Sequence, residues 1–387
     1  MRDALRLNPD VVACWEPHPG EALFRALSAL QEHGPVPMLV FTSDAEVEAM
    51  ERAMAVGVQC WVVQGYGLQR LRSLVQLAQV RFKHERELSD TLEALTHRFE
   101  ERKLVDRAKG ILMRASQVSE DEAFRMLRSA SMHGNRRVGQ VSQQIIDAAR
   151  YAEAVNRAGQ LRMLSQRLVK LQALVCAGVE AEASRALLAQ SIERAEGNLT
   201  ELSKLLSKPT FGDLIDGAWA SWRELKKALA AVAQPVDLAA LDEAAQRLLT
   251  DAERFTAALE AAGLASTLHV INLAGRQRML SQRVAKLALL SSLLDAGAAQ
   301  HAKQAAQQAT AAFEQALQEL ALMPLSTPEI RAGLAEASQT WQALLAGGQH
   351  ANQPQGRVAL AAASEALLEL FDRLTLLYER SMQGLMG

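Results

Sequence analysis

The chain has 387 residues, 49% hydrophobic and only 4% aromatic, with a formal net charge of −2 from 42 Lys/Arg and 44 Asp/Glu. That length accommodates roughly two to four domains with cores of their own, and the near-neutral balance excludes a polycation, so any nucleic-acid surface must be local. Three scattered cysteines (Cys14, Cys60 and Cys176) without a CxxC pair exclude a disulfide frame and a cysteine-based metal site.

The first 80 residues hold the strand signals. Short apolar runs at Asp10–Trp15, Val36–Thr42 and Gln59–Val63 alternate with helical patterns near 20–33 and 44–56, which predicts a small parallel sheet. The run Met38-Leu39-Val40 ending in Phe41-Thr42-Ser43 resembles the fourth strand and switch hydroxyl of response-regulator receiver domains, in particular the degenerate receivers of antiterminators. Where that family places its phosphoryl-accepting Asp stands Trp15, and where it places its Lys stands Gln64. The acidic magnesium pocket, which that family carries on an earlier strand, is not expected in this segment. The module is therefore expected to dimerise or scaffold rather than to be phosphorylated.

From Leu68 to Ala115 the pattern is helical. Leu74, Leu77, Val80, Leu88, Leu92, Leu95, Phe99, Leu104 and Ala108 recur mostly at three- to five-residue steps, with charged residues between them. A long charged helix cannot bury such a stripe alone, so a parallel coiled-coil homodimer is expected. A helix folded back on its own receiver is the alternative.

Residues 98–150 read as three helices. The first ends near Ser116, Ser119 and Glu122 form a capping box for the second, Gly134 closes the second in a left-handed conformation, and the third runs from Val138 to about Ala149. The segment carries 11 Lys/Arg against 7 Asp/Glu. Arg107-Ala108-Lys109-Gly110-Ile111-Leu112-Met113, Ser119-Glu120-Asp121-Glu122-Ala123-Phe124, Leu127-Arg128 and Asn135-Arg136-Arg137 resemble an ANTAR domain, the RNA-binding module of transcription antiterminators. The resemblance implies binding to paired stem-loops of a leader transcript. Lys109, Arg107, Arg114, Arg128, Arg136 and Arg137 are the candidate RNA-binding residues, since basic side chains supply salt-dependent phosphate contacts. Lys109 stands out because the motif sets it between Ala108 and Gly110. Phe124 is expected in the core.

Residues 151–387 are all helical and duplicated. Asn156–Arg167 returns 116 residues later as Asn272–Arg283 with nine of twelve positions identical, including Asn, Gly, Arg, Ser and Gln. Further on the offset becomes 119: Pro209 pairs with Pro328, Trp222 with Trp341 and Pro235 with Pro354. Paired prolines mark paired helix breaks, which predicts two tandem four-helix bundles. Trp222 and Trp341 are expected as core anchors. Asn156, Gly159, Arg162 or Met163, Gln166 and Lys170 share one stripe of the first helix, and Asn272, Gly275, Arg278, Gln282 and Lys286 repeat it. If these two helices pack together, Arg162 and Arg278 converge, and two buried guanidiniums require an anion between them. Arg167 and Arg283 are expected as structural ion-pair partners.

Ala-Gly-x-x-Arg-Met-x-Ser-x-Arg resembles the motif of the PilJ-type helical sensor domain, also present in nitrate/nitrite sensor kinases. That resemblance implies that Arg162 and Arg278 clamp a nitrate or nitrite, that backbone at Gly159 and Gly275 lines it, and that Met163 and Met279 close the pocket. Such sensors are usually periplasmic and contribute one motif per chain. Two motifs in one chain imply a site within the chain, and nitrate-responsive antiterminators of comparable type place the sensor before the RNA module rather than after it.

The expected architecture is mainly α: a short degenerate, partial receiver-like α/β module (1–80), a coiled-coil linker helix (81–97), a three-helix ANTAR unit (98–150) and two tandem four-helix bundles (151–263 and 264–387). The expected function is a ligand-responsive transcription antiterminator that binds leader RNA under control of a small oxyanion. The alternative is an RNA-binding regulator controlled by a sensor protein docking on the helical half. No apolar stretch approaches membrane length and no secretory leader follows Met1, so a cytoplasmic location is expected. The absence of a nucleophile–base constellation, phosphate loop or metal-ligand spacing leads to the expectation of no enzyme activity and no cofactor beyond the effector.

Overall fold

The computed structural model describes residues 9–65, 67–262, 265–323 and 327–385. The chain divides into two compact units, Met1–Arg102 and Lys103–Gly387.

In the first unit β1 (Val12–Trp15), α1 (Glu21–His33), β2 (Met38–Thr42), α2 (Val47–Ala55) and β3 (Cys60–Val63) alternate as expected. The strands are parallel in the order β1-β2-β3, with Val12 opposite Met38 and Leu39 opposite Cys60. β2 is buried along its whole length, which a continuous apolar run between two strands requires. Thr42 Oγ1 donates to Pro17 O at 3.2 Å and accepts from the Asp44 amide at 3.0 Å, so its hydroxyl closes the β2 loop.

α3 (Leu68–Ser116) is a single helix of 49 residues. Its early turns pack on the sheet: Ala78 joins Leu39, Phe41 and Cys60 in one core, and Arg81 donates to Gln59 O at 3.0 Å. Every residue from 83 to 100 is then exposed, including Leu88, Leu92, Leu95 and Phe99. The fold-back alternative thus applies to the start of the helix alone.

The second unit begins with the three-helix module. The end of α3, α4 (Glu120–His133) and the start of α5 (Val138–Cys176) enclose Ala108, Leu112, Ala123, Leu127, Val141 and Ile146. Ser119 and Glu122 form the expected capping box. The left-handed residue after α4 is Asn135 (φ 47°), whereas Gly134 keeps φ −82°. Asn tolerates this conformation through its short polar side chain, so the expectation for Gly134 was one residue early.

The third module helix and the first motif helix are one element, α5, of 39 residues. α6 (Ala181–Leu205), α7 (Lys208–Ala231) and α8 (Leu238–Ala262) complete the first repeat, with a short 3-10 turn, Pro235–Asp237, before α8. α9 (Ala265–Leu293), α10 (Ala296–Leu322), α11 (Pro328–Gln349) and α12 (Pro354–Leu385) form the second. The paired prolines stand at helix starts, Pro209 in the first turn of α7 and Pro328 and Pro354 opening α11 and α12, where a missing N–H costs nothing. Trp222 and Trp341 are fully buried, and Trp341 stacks on Phe313 with ring centroids 3.8 Å apart.

The two repeats share one continuous hydrophobic core that runs from Ala154 to Tyr378. α5 and α9 lie at its centre, each packed on helices of its own repeat and on the other. Two independent bundles would each need a solvated face on the motif helix; α5 is buried on nearly all sides from Leu161 to Leu171. The expected bundle boundary at 263–264 lies outside the described residues.

Candidate functional site

The polar stripe of the motif faces the opposite motif helix. Arg162 Nη2 donates to Asn272 Oδ1 at 2.7 Å, and Arg278 Nη2 donates to Asn156 Oδ1 at 2.7 Å. Lower down, Lys286 Nζ donates to Gln166 Oε1 at 2.7 Å. These pairs are 110, 122 and 120 residues apart in sequence. The first two pairs alone would fit either direction, but Gln166 meeting Lys286 beyond them requires α5 and α9 to run in the same direction, with the two copies of the motif side by side.

Both glycines serve this approach. A Cβ on Gly159 would stand 3.3 Å from Arg162 Nη2 and 3.8 Å from Arg278 Nη2, so the two guanidiniums converge on one spot. A Cβ on Gly275 would come within 2.9 Å of Arg278 Nη2. Glycine mid-helix costs up to about 1 kcal/mol against alanine; here it leaves the room in which a guanidinium lies flat on the helix. Met163 and Met279, one position beyond each arginine, are fully buried in the surrounding core.

Arg162 and Arg278 are 4% and 1% exposed, and the Nε of each is buried without a hydrogen-bond partner. Arg278 Nη1 donates to Asp372 Oδ1 at 2.5 Å. Among the described residues no carboxylate comes within ion-pair distance of Arg162. Burial pulls the Arg162 guanidinium down to about 10; Glu253 opposes that shift, and the Arg278 and Arg276 charges add to it. A buried cation whose neighbour is a second cation, with donor hydrogens left over on both, has the chemistry to accept an anion: planar oxyanions match a guanidinium edge through paired charge-assisted bonds.

A second polar layer lies deeper. Lys170 Nζ donates to Ser364 Oγ at 2.8 Å and to Glu365 at 2.5 Å, and Arg167 also binds Glu365. Lys286 pairs with Asp242 at 2.5 Å. Each motif lysine thus reaches a carboxylate on the last helix of the other repeat, which offsets the cost of taking its charge out of water, although Glu365 is shared by Lys170 and Arg167. Arg167 is the expected ion-pair partner, but Arg283 is not: its Nε is buried and unpartnered, and among the described residues it has no ion pair.

Asn156, Asn272 and Asp372 were missed as site residues. The asparagines carried a signal, since both belong to the repeated motif. Asp372 carried a weaker one, for the 119-residue offset sets it against another acid, Glu253.

On the three-helix module Arg107, Arg114, Arg128, Arg136 and Arg137 are all exposed. Arg136 Nη1 also donates to Gln144 Oε1 at 2.8 Å. Lys109 is mostly buried and bonded to both Asp106 and Glu120 at 2.7 Å, which raises its pKa. Gly110 beside it has only the tip of Arg114 nearby, while Ala108 is core. Phe124, expected in the core, is 44% exposed, because Ala123 and Leu127 hold the inner face of α4.

Two family models match this chain. The ANTAR domain covers residues 93–146, and the Type IV pili methyl-accepting chemotaxis transducer N-terminal domain (PilJ) covers 147–255 and again 261–366. The two PilJ matches span more than half of the sequence. The chain belongs to the PilJ-type family and carries an ANTAR domain. Among curated proteins it resembles Transcriptional regulatory protein PdtaR of Mycobacterium tuberculosis, 27% identical over 140 residues, 36% of this chain and 68% of that one. It also resembles the Nitrate regulatory protein of Klebsiella oxytoca, 27% identical over 108 residues, 28% of this chain and 27% of that protein. Among the described residues of this PilJ–ANTAR protein no helix is long and apolar enough to cross a membrane.

Proposed function

We propose that the protein is a cytoplasmic transcription antiterminator whose ANTAR domain binds hairpins of a leader RNA, and whose duplicated helical half controls that binding by sensing a small oxyanion, nitrate or nitrite. The observation that carries this reading is the buried Arg162, short of a counter-charge and facing Arg278 across paired asparagines. Gly159, Gly275, Met163 and Met279 would shape the pocket around the ligand.

The connection between the two activities is α5. Val141 and Ile146 belong to the core of the ANTAR module, and Arg162 lies on the same unbroken helix, roughly 24 Å further along at 1.5 Å per residue. A ligand that draws α5 and α9 together favours one position of α5, and can act only through its differential affinity for two states.

The exposed stripe Leu88, Leu92, Leu95 and Phe99 is spaced four, three and four residues, as in a coiled-coil seam. A second copy of the chain supplies a matching stripe, so we assign this segment to a parallel homodimer.

The test is RNA binding by the full chain, using an RNA selected from a random two-hairpin pool, with and without nitrate or nitrite. The expected result is a change in affinity of about tenfold or more that disappears in Arg162→Gln. Equal affinity in both conditions would contradict ligand control, and absence of any selectable RNA would contradict the RNA-binding role.

A further inference from the structure

The two halves of the arginine pocket are not equivalent. Arg278 has a carboxylate in direct contact, since its Nη1 donates to Asp372 Oδ1 at 2.5 Å. The 119-residue offset sets Glu253 where Asp372 stands, yet among the described residues no carboxylate reaches ion-pair distance of Arg162. Its closest linked acid is one amide away: Asn272 accepts from Arg162 and donates through Nδ2 to Glu260 at 2.7 Å. Glu260 in turn is shared with His269 at 3.0 Å. Arg194, 3.5 Å from Asp372, is partly exposed and Arg276 is exposed. Glu253 and Glu260 act on Arg162 through space, without contact. Among the described residues, the carboxylate paired directly with the two buried guanidiniums is Asp372.

Resting on the reading that this pocket holds a small oxyanion, we propose that Asp372 sets the valence of the ligand, so that the pocket takes one univalent oxyanion and excludes divalent ones such as sulfate. Two features of the geometry carry this. The unpartnered Nε of each arginine shares a guanidinium edge with the Nη2 that holds the opposite asparagine, so each edge keeps a donor not taken by a protein acceptor. One negative charge then serves the one guanidinium that has no carboxylate in contact. A dianion would bring a surplus negative charge beside Asp372, whose side chain is 31% exposed and so only partly screened by water. Asp372 also fixes the Arg278 side chain and so acts as a positioning and selectivity residue that does not itself bind the ligand.

The test is calorimetric titration of the full chain with sodium nitrate, sodium nitrite and sodium sulfate at constant ionic strength. Wild type is expected to bind nitrate or nitrite and to reject sulfate. Asp372→Asn keeps an acceptor for Arg278 but removes the charge. It is expected to shift the ratio of sulfate to nitrate affinity by roughly tenfold to a hundredfold, the effect of one unit charge in a partly desolvated site. Asp372→Glu is expected to restore the preference of wild type.

A complementary change, Asn272→Asp, places a carboxylate on Arg162 with no change in size and gives up the bond to Glu260. It is expected to weaken nitrate and nitrite by a similar factor, and it gives an answer even if Asp372→Asn does not fold. Nitrate binding with an unaltered sulfate ratio in Asp372→Asn, or with sulfate bound equally well by wild type, overturns the valence assignment and leaves the anion pocket standing. Failure of wild type to bind any of the three overturns both.

Discussion

The Arg162 guanidinium donates to Asn272 Oδ1 at 2.7 Å, across the junction between the two motif helices. Arg278 returns the same bond to Asn156. Each copy of the motif therefore completes the other, which accounts for polar residues surviving duplication where apolar periodicity alone would have preserved the fold.

Gly275→Ala should separate stability from binding. Alanine favours the helix by about 0.5–1 kcal/mol, but its Cβ would stand 2.9 Å from Arg278 Nη2 and displace that side chain. Because Arg278 also holds Asp372 and Asn156, the helix gain is partly or wholly offset, and thermal melts are expected to show a midpoint changed by only a few degrees while nitrate affinity falls severalfold. Gly159→Ala, with its nearest guanidinium nitrogen at 3.3 Å, is expected to do the same to a smaller degree. Full affinity in Gly275→Ala would show that the close approach is mere packing.

Lys170 gives a prediction in pH. Burial holds its amine down at about 8 against an ordinary 10.5, with Glu365 opposing the shift. Between those values the unfolded chain keeps a proton that the folded chain has lost, so folding gains with rising pH. Relative to Lys170→Met, which fills the same space without charge, wild type should therefore gain stability from pH 8 to 10.5. Urea midpoints of both proteins at pH 7.5 and pH 10 check this; a constant difference would contradict it.

On the ANTAR face, Arg128→Gln should weaken RNA binding and lower the slope of log affinity against log salt by about 0.7–0.9, the release of one counterion. Lys109→Gln should change the slope less, because Asp106 and Glu120 already match that charge. Phe124→Ala should cost about 1–3 kcal/mol without altering the slope, as expected for a base stacked on an exposed ring. Filter binding from 50 to 300 mM salt, on the order used to resolve such slopes, distinguishes the three. A slope unaffected by Arg128→Gln would place the RNA elsewhere.

Leu92→Glu keeps a good helix former but puts charge in the exposed stripe of α3. Sedimentation equilibrium is expected to give a dimer for wild type and a monomer for the variant. A wild-type monomer at micromolar concentration would contradict the coiled coil.

Much of this was legible in the sequence because it depends on local chemistry. The capping box at Ser119 and Glu122, the prolines opening α7, α11 and α12, and the alternation that builds β1 to β3 each follow from residue type and spacing. What was not legible depends on long-range packing. That α5 and α9 sit back to back in one core, and that Asp372 meets Arg278 but Glu253 does not meet Arg162, are properties of how α8 and α12 lie on the motif helices. Phe124 was misplaced for a similar reason: Ala123 and Leu127 share the inner face of α4, and only the packed module shows that Phe124 falls outside it. Lys109 illustrates the converse, since its motif position was clear while its two carboxylate partners were not.

The central claim is that one small oxyanion binds between Arg162 and Arg278. Calorimetric titration of nitrate and nitrite into the full chain, wild type against Arg162→Gln, tests it most directly. The account predicts saturable binding of one anion per chain that is lost in the variant while the melting midpoint of the unliganded protein is maintained or raised, since a buried uncompensated charge has been removed. Absence of binding in wild type, or equal binding in the variant, would contradict it.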